Sequence, residues 1–293
     1  MNKRKLKIIV SIDGGGIRGI LPLMILNHLE QLMKANDLGD CLSEKVDLIA
    51  GTSTGAIISA GLIVKNDNQK HIYSIQDLLN LYIQRGPQLF NLANPSNPGS
   101  EGLKLVLKRK FKNLLLSDLD TQYAFVSHDV ITHLPYVFGR YNHSLSRVEL
   151  STALAACSAV PGYFPSVKVA DSELIDGVVS AKNPALIALE HTQIYYPNQA
   201  YLLLSFGTGD LTNENFDEIE RKVNEVDDLL SEKAEINDNL IYYRFQPEII
   251  TAAPEMDNAS PENIDALIAD GKTFIEHNKV LFDSVIANWK QYS

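Results

Sequence analysis

The chain is poor in cysteine and has no long apolar run. Its 293 residues contain two cysteines, Cys41 and Cys157, which lie far apart and lack the spacing of metal ligands. Cysteine usage of this kind makes a reducing compartment the default. No run approaches the ~20 consecutive apolar residues of a membrane-spanning helix. These absences predict a soluble, cytoplasmic protein, with secretion by a route without a cleaved signal as the alternative.

The amino terminus lacks the features of a signal peptide. Lys3, Arg4, Lys5 and Lys7 resemble the basic start of such a segment. The apolar stretch that follows reaches Asp13 within about six residues, which is shorter than the roughly 7–15 residues that a signal needs. We therefore expect no cleaved signal peptide.

Basic charge is also scarce. The chain has 36 acidic and 26 basic residues and a formal net charge of −10. This balance argues against nucleic acid as the main partner, because phosphate binding needs a basic face. The hydrophobic fraction of 45% is large enough to bury a sizeable core. We expect one large domain, or one domain with an inserted cap, and the sequence leaves the oligomeric state open.

Residues 46–55 read V-D-L-I-A-G-T-S-T-G, which predicts a short strand followed by a sharp turn. After this G-x-S-x-G motif, the apolar run 56–64 predicts a helix buried on all sides. Gly51 and Gly55 have no Cβ, so they allow the strand and the helix to approach closely. Ser53 is therefore predicted to be a nucleophile at a strand-to-helix elbow.

Another strand–turn–helix unit precedes the elbow. Leu6 to Ile12 predicts a central strand, and Asp13 to Gly19 (D-G-G-G-I-R-G) predicts a glycine-rich loop before a helix. Two such units in succession predict a mostly parallel sheet, whose loops after each strand lie at the same edge. The glycine loop is thus expected to lie beside the elbow.

This loop and the elbow together predict an oxyanion hole. A serine nucleophile needs N–H donors for the charge of a tetrahedral intermediate. We expect these donors to come from Gly14, Gly15 and Gly16 in the loop and from Thr54 after the nucleophile. Arg18 is expected to add positive charge that binds an anion or the substrate. No metal and no cofactor is implied, because no ligand cluster is visible.

The base for Ser53 is harder to assign. His191 and His277 come late enough in the chain for an ordinary triad, but both fall inside predicted helices. Asp176 follows a short strand and precedes a glycine, which places it at a strand-to-loop edge. A carboxylate with a pKa of ~3.9 is a weak base, so burial would have to raise the pKa of Asp176. The histidines that could in principle act as the base are the seven of the chain: His28, His71, His128, His133, His143, His191 and His277.

The region 66–120 interrupts the alternation of strands and helices, and is the candidate for a small cap. Within it, 74–85 predicts an amphipathic helix with Ser74 as its N-cap, and 91–102 predicts a loop. The run 103–112 (L-K-L-V-L-K-R-K-F-K) predicts a basic amphipathic helix. A solvated surface helix is the favoured interpretation, and a lipid-facing element is the alternative.

The rest of the chain continues with strands and helices. Buried or short strands are predicted at 123–129, 134–138, 173–175, 201–206 and 241–245. Helices are predicted at 147–158, from Asn183 to Glu190, in the acidic stretch after Asp210, and within 261–289.

Three motifs in order, D-G-G-G-x-R-G at 13–19, G-T-S-T-G at 51–55 and Asp-Gly at 176–177, resemble those of the patatin-like phospholipases. S-A-V-P-G-Y-F-P at 158–165 and L-L-S-F-G-T-G at 203–209 add to the resemblance. Val178 departs from it, because the family often has Gly or Ala there, and is expected to narrow the floor of the site.

The resemblance implies a three-layer α/β/α fold and a lipid acyl hydrolase with a Ser53–Asp176 dyad, an acyl-enzyme intermediate and a phospholipid or other acyl-ester substrate. It also implies transient contact with membrane surfaces. The expected domain spans residues 1–293, with the motifs within 8–209 and an acidic, helical portion over 210–293.

Other functions stay open on the sequence. The glycine loop also satisfies the G-x-G-x-x-G pattern of a dinucleotide-binding domain, although the second strand ends in Ser53 rather than in the acidic residue expected there. A general serine esterase or protease and a non-catalytic lipid-binding or scaffold protein are the further alternatives.

Overall fold

One mixed sheet forms the centre of the molecule. The computed structural model describes residues 4–91, 102–210 and 218–292. Eight strands of these ranges share the sheet. They are β1 (Leu6–Ile12), β2 (Leu48–Thr52), β3 (Gln122–Asp129), β4 (Leu134–Gly139), β5 (Val167–Val169), β6 (Ser172–Asp176), β7 (Ala200–Phe206) and β8 (Leu240–Phe245).

The sheet is mostly parallel, as predicted. Its order is β5-β6-β3-β2-β1-β7-β8, and β4 pairs with β3 outside this path. Parallel pairing joins β3, β2, β1, β7 and β8. The antiparallel pairs involve β4, β5 and β6, which lie at the other end of the sheet. The short strand β5 is an element that the sequence analysis did not predict.

Helices cover both faces of the sheet, which confirms the three-layer α/β/α fold. One face packs against α7 and α8, and the other against most of the remaining helices. The helices are α1 (Ile20–Ala35), α2 (Thr54–Ile63), α3 (Ile75–Asn91), α4 (Gly102–Phe111), α5 (Leu150–Cys157), α6 (Val178–Ala181), α7 (Ala185–Tyr195), α8 (Glu218–Ile236), α9 (Pro261–His277) and α10 (Lys279–Lys290).

β1 shows why the sheet has a core on each side. Successive side chains of a strand point to opposite faces. Ile8, Val10 and Ile12 belong to one core, and Ile9 belongs to the other. An apolar strand of this kind is stable only between two layers of helices. The expectation of a central strand from 6 to 12 is confirmed.

α2 and the start of α3 form as the sequence predicts, but α3 continues beyond the predicted end at 85 to Asn91, with Pro87 inside the helix. Nine of the ten residues of α2 are buried, because the helix lies between the sheet and its neighbours. α3 begins after Ser74, whose hydroxyl accepts the N–H of Asp77 at 3.1 Å while its own N–H donates to the Asp77 carboxylate at 2.9 Å. This reciprocal cap fixes the start of the helix. The predicted loop at 91–102 falls mostly outside the described residues.

α4 is the basic helix predicted at 103–112. Leu107 and Phe111 are buried, whereas Lys104, Lys108 and Arg109 are exposed. The helix therefore packs its apolar side on the protein and presents its basic side to solvent. No helix among the described ranges is long and apolar enough to cross a membrane.

A buried ion pair ties the first strand to the last. The Arg244 guanidinium in β8 donates to both carboxylate oxygens of Asp13, the residue that follows β1, at 3.0 and 2.6 Å. The side chains are 7% and 1% exposed. Breaking a buried pair on one side leaves an uncompensated charge, which is strongly destabilising. The residue at the start of the glycine loop is therefore fixed by an ion pair with a residue 231 positions later in the chain.

We expect Arg244→Met to lower the free energy of unfolding by about 3–5 kcal/mol, because Asp13 then stays buried without its partner. Urea denaturation followed by circular dichroism measures the change. Arg221→Met is the matched control, since Arg221 pairs with Glu225 where both side chains are 58% exposed. That control should lose less than about 1 kcal/mol. Equal losses in the two variants would contradict the role of burial.

Candidate active site

β3 brings together the two strands that carry the predicted dyad. β2 pairs with β3 up to Thr52 opposite Val126, and β6 pairs with β3 from Asp176 opposite Ser127. β4 occupies the other edge of β3 over these positions, so β2 and β6 share one edge and end side by side. Ser53, the residue after β2, therefore meets Asp176 although 123 positions separate them.

The turn at Ser53 has the predicted elbow geometry. Ser53 has φ 54° and ψ −123°, a sparsely populated conformation that costs about 1–3 kcal/mol, and α2 begins at the next residue. A Cβ on Gly55 would lie 2.1 Å from the Ile12 carbonyl oxygen, and one on Gly51 would lie 2.3 Å from the Gly55 backbone. Both contacts are with backbone, which cannot move aside. The two glycines are thus required for strand and helix to meet.

Ser53 and Asp176 are hydrogen-bonded. The Ser53 hydroxyl donates to Oδ2 of Asp176 at 2.6 Å, and the Val178 N–H donates to Oδ1 at 2.8 Å. Asp176 is 1% exposed. Burial raises the pKa of Asp176 to about 7, against the smaller lowering by the two hydrogen bonds. A carboxylate with this pKa is a competent base near neutral pH.

The glycine loop differs from the prediction at Gly14. The Gly14 N–H donates to the Lys182 carbonyl oxygen at 3.0 Å, so it is engaged within the protein. Gly14 is therefore removed from the proposed oxyanion donors. Gly16 has φ +60°, and a Cβ there would lie 2.1 Å from the Met256 carbonyl oxygen. Gly15 precedes it at the start of a short 3₁₀ turn, and Gly16 lines the same cavity as Ser53.

Thr54 stands at the amino end of α2 and also lines this cavity. The first N–H groups of a helix have no acceptor within the helix, and the helix dipole favours negative charge beside them. The Thr54 hydroxyl is engaged with the hydroxyl of Tyr82, which is buried in α3. The Thr54 backbone N–H therefore fits an oxyanion better than its side chain does.

Residues from the second half of the chain fix the glycine loop. Met256 accepts the Ile17 N–H at 2.9 Å, and the Thr208 hydroxyl donates to the Gly14 carbonyl oxygen at 2.7 Å. Asp13 receives the ion pair from Arg244 described above. These contacts give Asp13 a structural role at the start of the loop.

Arg18 lies inside the protein. It is 2% exposed, its N–H donates to the Gly15 carbonyl oxygen at 3.1 Å, and its side chain is not among the described residues that line the cavity. The pKa of Lys182 is lowered mainly by burial, and further by the nearby positive charge of Arg18. The guanidinium thus lies close to Lys182, and its role in binding an anion or substrate stays a prediction.

Ser53 and Asp176 open into an apolar cavity of about 430 Å³. Helices α2, α3 and α4 and the segments 158–164 and 255–257 contribute to its wall. Val178 also lines it, and its narrowing of the floor stays a prediction. The apolar residues that the helices supply include Ile57, Ile58, Leu78, Leu81, Leu107 and Phe111. The region proposed as a cap therefore forms one wall of the site.

None of the seven histidines is among the described residues that line this cavity. His191 packs edge-on against the ring of Tyr141, and His128 hydrogen-bonds with the hydroxyl of Ser180. Over the same parts of the chain, no group of three or more His, Cys, Asp or Glu side chains is placed to hold a metal ion. The carboxylate of Asp176 is the titratable group that contacts Ser53.

Several contributors to the site had no local signal in the sequence. Arg244 and Met256 act on the glycine loop through contacts that span more than 200 positions, and Lys182 acts through its backbone carbonyl. The Val178 N–H was also missed, although its position two residues after Asp176 suits a turn-type hydrogen bond.

Known proteins share both sequence and fold with this chain. It is 28% identical to "Patatin group M-2" of Solanum tuberosum over 329 aligned positions, which cover 93% of this chain and 84% of that protein. It is also 28% identical to "Patatin group M-3" of the same plant, with 92% and 83% covered. The structure of human GIVD cytosolic phospholipase A2 matches its fold with a TM-score of 0.57 at 9% identity. That match covers 98% of this chain and 60% of the human chain.

The family model for "Patatin-like phospholipase" matches residues 10–189, which include the glycine loop, the elbow and Asp176. This match assigns the glycine loop to a lipid hydrolase fold instead of a dinucleotide-binding domain. The chain belongs to the patatin-like phospholipase family.

Proposed function

We propose that this protein is a lipid acyl hydrolase of the phospholipase A or lysophospholipase type, with Ser53 as nucleophile and Asp176 as base. The family supports hydrolysis of lipid esters in general. The observation that carries the finer proposal is the 2.6 Å hydrogen bond from the Ser53 hydroxyl to Asp176, made between two residues that line an apolar cavity.

In the first half of the reaction, Ser53 Oγ attacks the carbonyl carbon of the ester and its proton passes to Asp176. The pKa of about 7 for the Asp176 carboxyl suits this transfer near neutral pH. The tetrahedral intermediate then expels the alcohol, which takes the proton from Asp176. The acyl group remains on Ser53 as an ester, and water hydrolyses it by the same route.

Backbone N–H groups stabilise the oxyanion in this proposal. The donors are Gly15 and Gly16 from the loop and Thr54 from the start of α2. Donors that are fixed before the reaction cost no reorganisation in the transition state. The contacts of Asp13 with Arg244 and of Ile17 with Met256 support this role, because they immobilise the loop on both sides of the glycines.

The cavity favours a long apolar acyl group over a peptide. Its wall is apolar apart from a few hydroxyl and charged groups, and burying apolar surface contributes about 25 cal/mol per Å². A phospholipid, or another lipid with an acyl ester, supplies such a chain. We propose that the basic side of α4 contacts the membrane surface while the cavity beside it receives the substrate.

The whole chain is proposed to act as one domain. The family model ends at residue 189, but β7, β8 and Met256 lie beyond that point and contact the sheet or the glycine loop. The described residues beyond the end of the family model thus complete the proposed site.

A general serine esterase and a non-catalytic lipid-binding protein are the alternatives. An esterase without lipid preference would turn over short soluble esters as well as it turns over phospholipids in vesicles. A binding protein would retain lipid and release no fatty acid. The intact hydrogen bond between Ser53 and Asp176 favours catalysis over binding alone.

We expect Ser53→Ala and Asp176→Asn each to lower kcat/KM for a short-chain p-nitrophenyl ester and for phospholipid by roughly 10³-fold or more. The first removes the nucleophile, and the second removes the base. His191→Ala and His277→Ala are the controls and should retain activity. Undiminished hydrolysis by Asp176→Asn would exclude the dyad, and a large loss in either histidine variant would point to a histidine base.

The pH dependence should reflect Asp176. Because its carboxyl must be ionised to accept a proton, kcat/KM should rise about tenfold for each pH unit below about 7 and level off above it. The measurement is the initial rate at substrate concentrations below KM, with circular dichroism as a control for folding at each pH. A profile that is flat from about pH 5 to about pH 8 would contradict an Asp176 base with this pKa.

Charge reversal on α4 tests the membrane contact. Lys104→Glu with Arg109→Glu should weaken binding to vesicles containing phosphatidylglycerol by at least about tenfold, since each basic residue near an anionic surface contributes ~1 kcal/mol. Lys272→Glu with Lys279→Glu changes the same charge on exposed positions of α9 and α10 and should bind as the wild type does. If vesicle binding changes neither with the anionic lipid content nor with the charge reversal at Lys104 and Arg109, α4 is not the surface that contacts the membrane.

A further inference from the structure

Ser158 lies beside the catalytic carboxylate. It follows α5, and the two residues that flank it accept hydrogen bonds from the turn that carries Asp176. The Ala159 carbonyl oxygen accepts the N–H of Asp176 at 3.0 Å, and the Cys157 carbonyl oxygen accepts the N–H of Gly177 at 3.4 Å. Backbone contacts on both sides therefore fix Ser158 next to the proposed base.

Ser158 lines the same cavity as Ser53 and is 5% exposed. Six of the described residues that line this cavity carry a hydroxyl group: Ser53, Thr54, Tyr73, Tyr82, Ser158 and Tyr163. Five of them hydrogen-bond within the protein. The Ser158 hydroxyl has no partner within the ranges 4–91, 102–210 and 218–292.

A buried hydroxyl without a partner is uncommon, because its loss of hydration is not offset. Within a structural core the residue could be alanine, and the fold would be no less stable. Its place on the wall of the proposed active site instead indicates a partner that belongs to the reaction. The backbone groups of Ser158 are already used, since its N–H donates to Leu154 and its carbonyl oxygen accepts from Val160.

The second half of the proposed reaction needs such a partner. Once Ser53 is acylated, its oxygen has no proton to donate, and Oδ2 of Asp176 loses the hydrogen bond recorded at 2.6 Å. Oδ1 still accepts the Val178 N–H. The attacking water therefore binds at Oδ2. An ordered water needs two or more polar partners, and most of the wall is apolar.

We propose that the Ser158 hydroxyl is the second partner of this water and positions it for hydrolysis of the acyl-enzyme. The inference rests on the proposed function. The water oxygen forms a bond to the acyl carbonyl carbon and gives one proton to Asp176. The bond from that carbon to Ser53 Oγ then breaks, Asp176 returns the proton to Ser53, and the fatty acid leaves.

The test is Ser158→Ala with a p-nitrophenyl ester of a short-chain fatty acid, followed before and during the steady state. Hydrolysis of the acyl-enzyme should slow about tenfold, the effect of one lost hydrogen bond. In a two-step reaction this lowers kcat and KM together and leaves kcat/KM within about twofold. A burst close to one p-nitrophenol per enzyme should appear. The melting temperature should not fall, because no hydrogen bond within the protein is lost.

Two comparisons isolate the hydroxyl. Ser158→Thr keeps the hydroxyl, whereas Ser158→Val has a methyl group of similar shape in its place. The burst of p-nitrophenol should therefore be stronger in the valine variant than in the threonine variant. Ser151→Ala removes a buried hydroxyl of α5, the helix that Ser158 follows. That hydroxyl donates to Glu149, neither residue lines the cavity, and the variant should leave kcat and KM unchanged.

Unchanged kinetics in Ser158→Ala would overturn the proposal, and so would a lower kcat/KM, which would place Ser158 in acylation. Equal behaviour of the threonine and valine variants would overturn it as well. Ser53→Ala distinguishes failure of this inference from failure of the proposed function. If Ser53→Ala is inactive while Ser158→Ala behaves as wild type, only the inference about Ser158 fails. If Ser53→Ala stays active, the proposed function fails.

Discussion

The hydrogen bond between Ser53 and Asp176 exists because β2 and β6 end at neighbouring positions on one edge of β3. The two strands approach from opposite directions, so the turns that follow them face each other. A slip of one residue in either pairing would turn the side chains to the other face of the sheet. The burial of β2 and β3 holds this register, so the packing of the core sets the distance between Ser53 and Asp176.

The glycine loop depends on a different set of contacts. Its sequence permits a tight path, but glycine also leaves the chain many other conformations. Arg244, Thr208 and Met256 remove that freedom by binding Asp13, Gly14 and Ile17. All three lie after residue 189, where the family model ends. Arg244 and Met256 also lie beyond the last motif at 203–209, so residues outside every motif fix the loop that carries the first one.

The sequence is sufficient for the elements with a regular pattern. β1, β2 and the buried α2 follow from apolar runs, and the elbow follows from glycines at 51 and 55. Asp176 could be found because it stands at the end of a strand and before a glycine. The Gly14 N–H was wrongly assigned, because its acceptor is the Lys182 carbonyl oxygen, and no sequence pattern indicates which backbone groups meet across the fold. The same limit applies to the ion pair of Arg244 and to the hydroxyl of Ser158.

Burial of Asp176 also affects folding. Its pKa is about 7 in the folded chain and ~3.9 in an unfolded one, so the folded chain binds more protons between these values. By linkage, the free energy of unfolding falls as pH rises through this range. At ~1.4 kcal/mol for each tenfold difference in proton affinity, the loss approaches ~4 kcal/mol above about pH 7. The ionised carboxylate that the proposed reaction needs is thus the form that weakens the fold, and the core around β3 must supply the stability that this group removes.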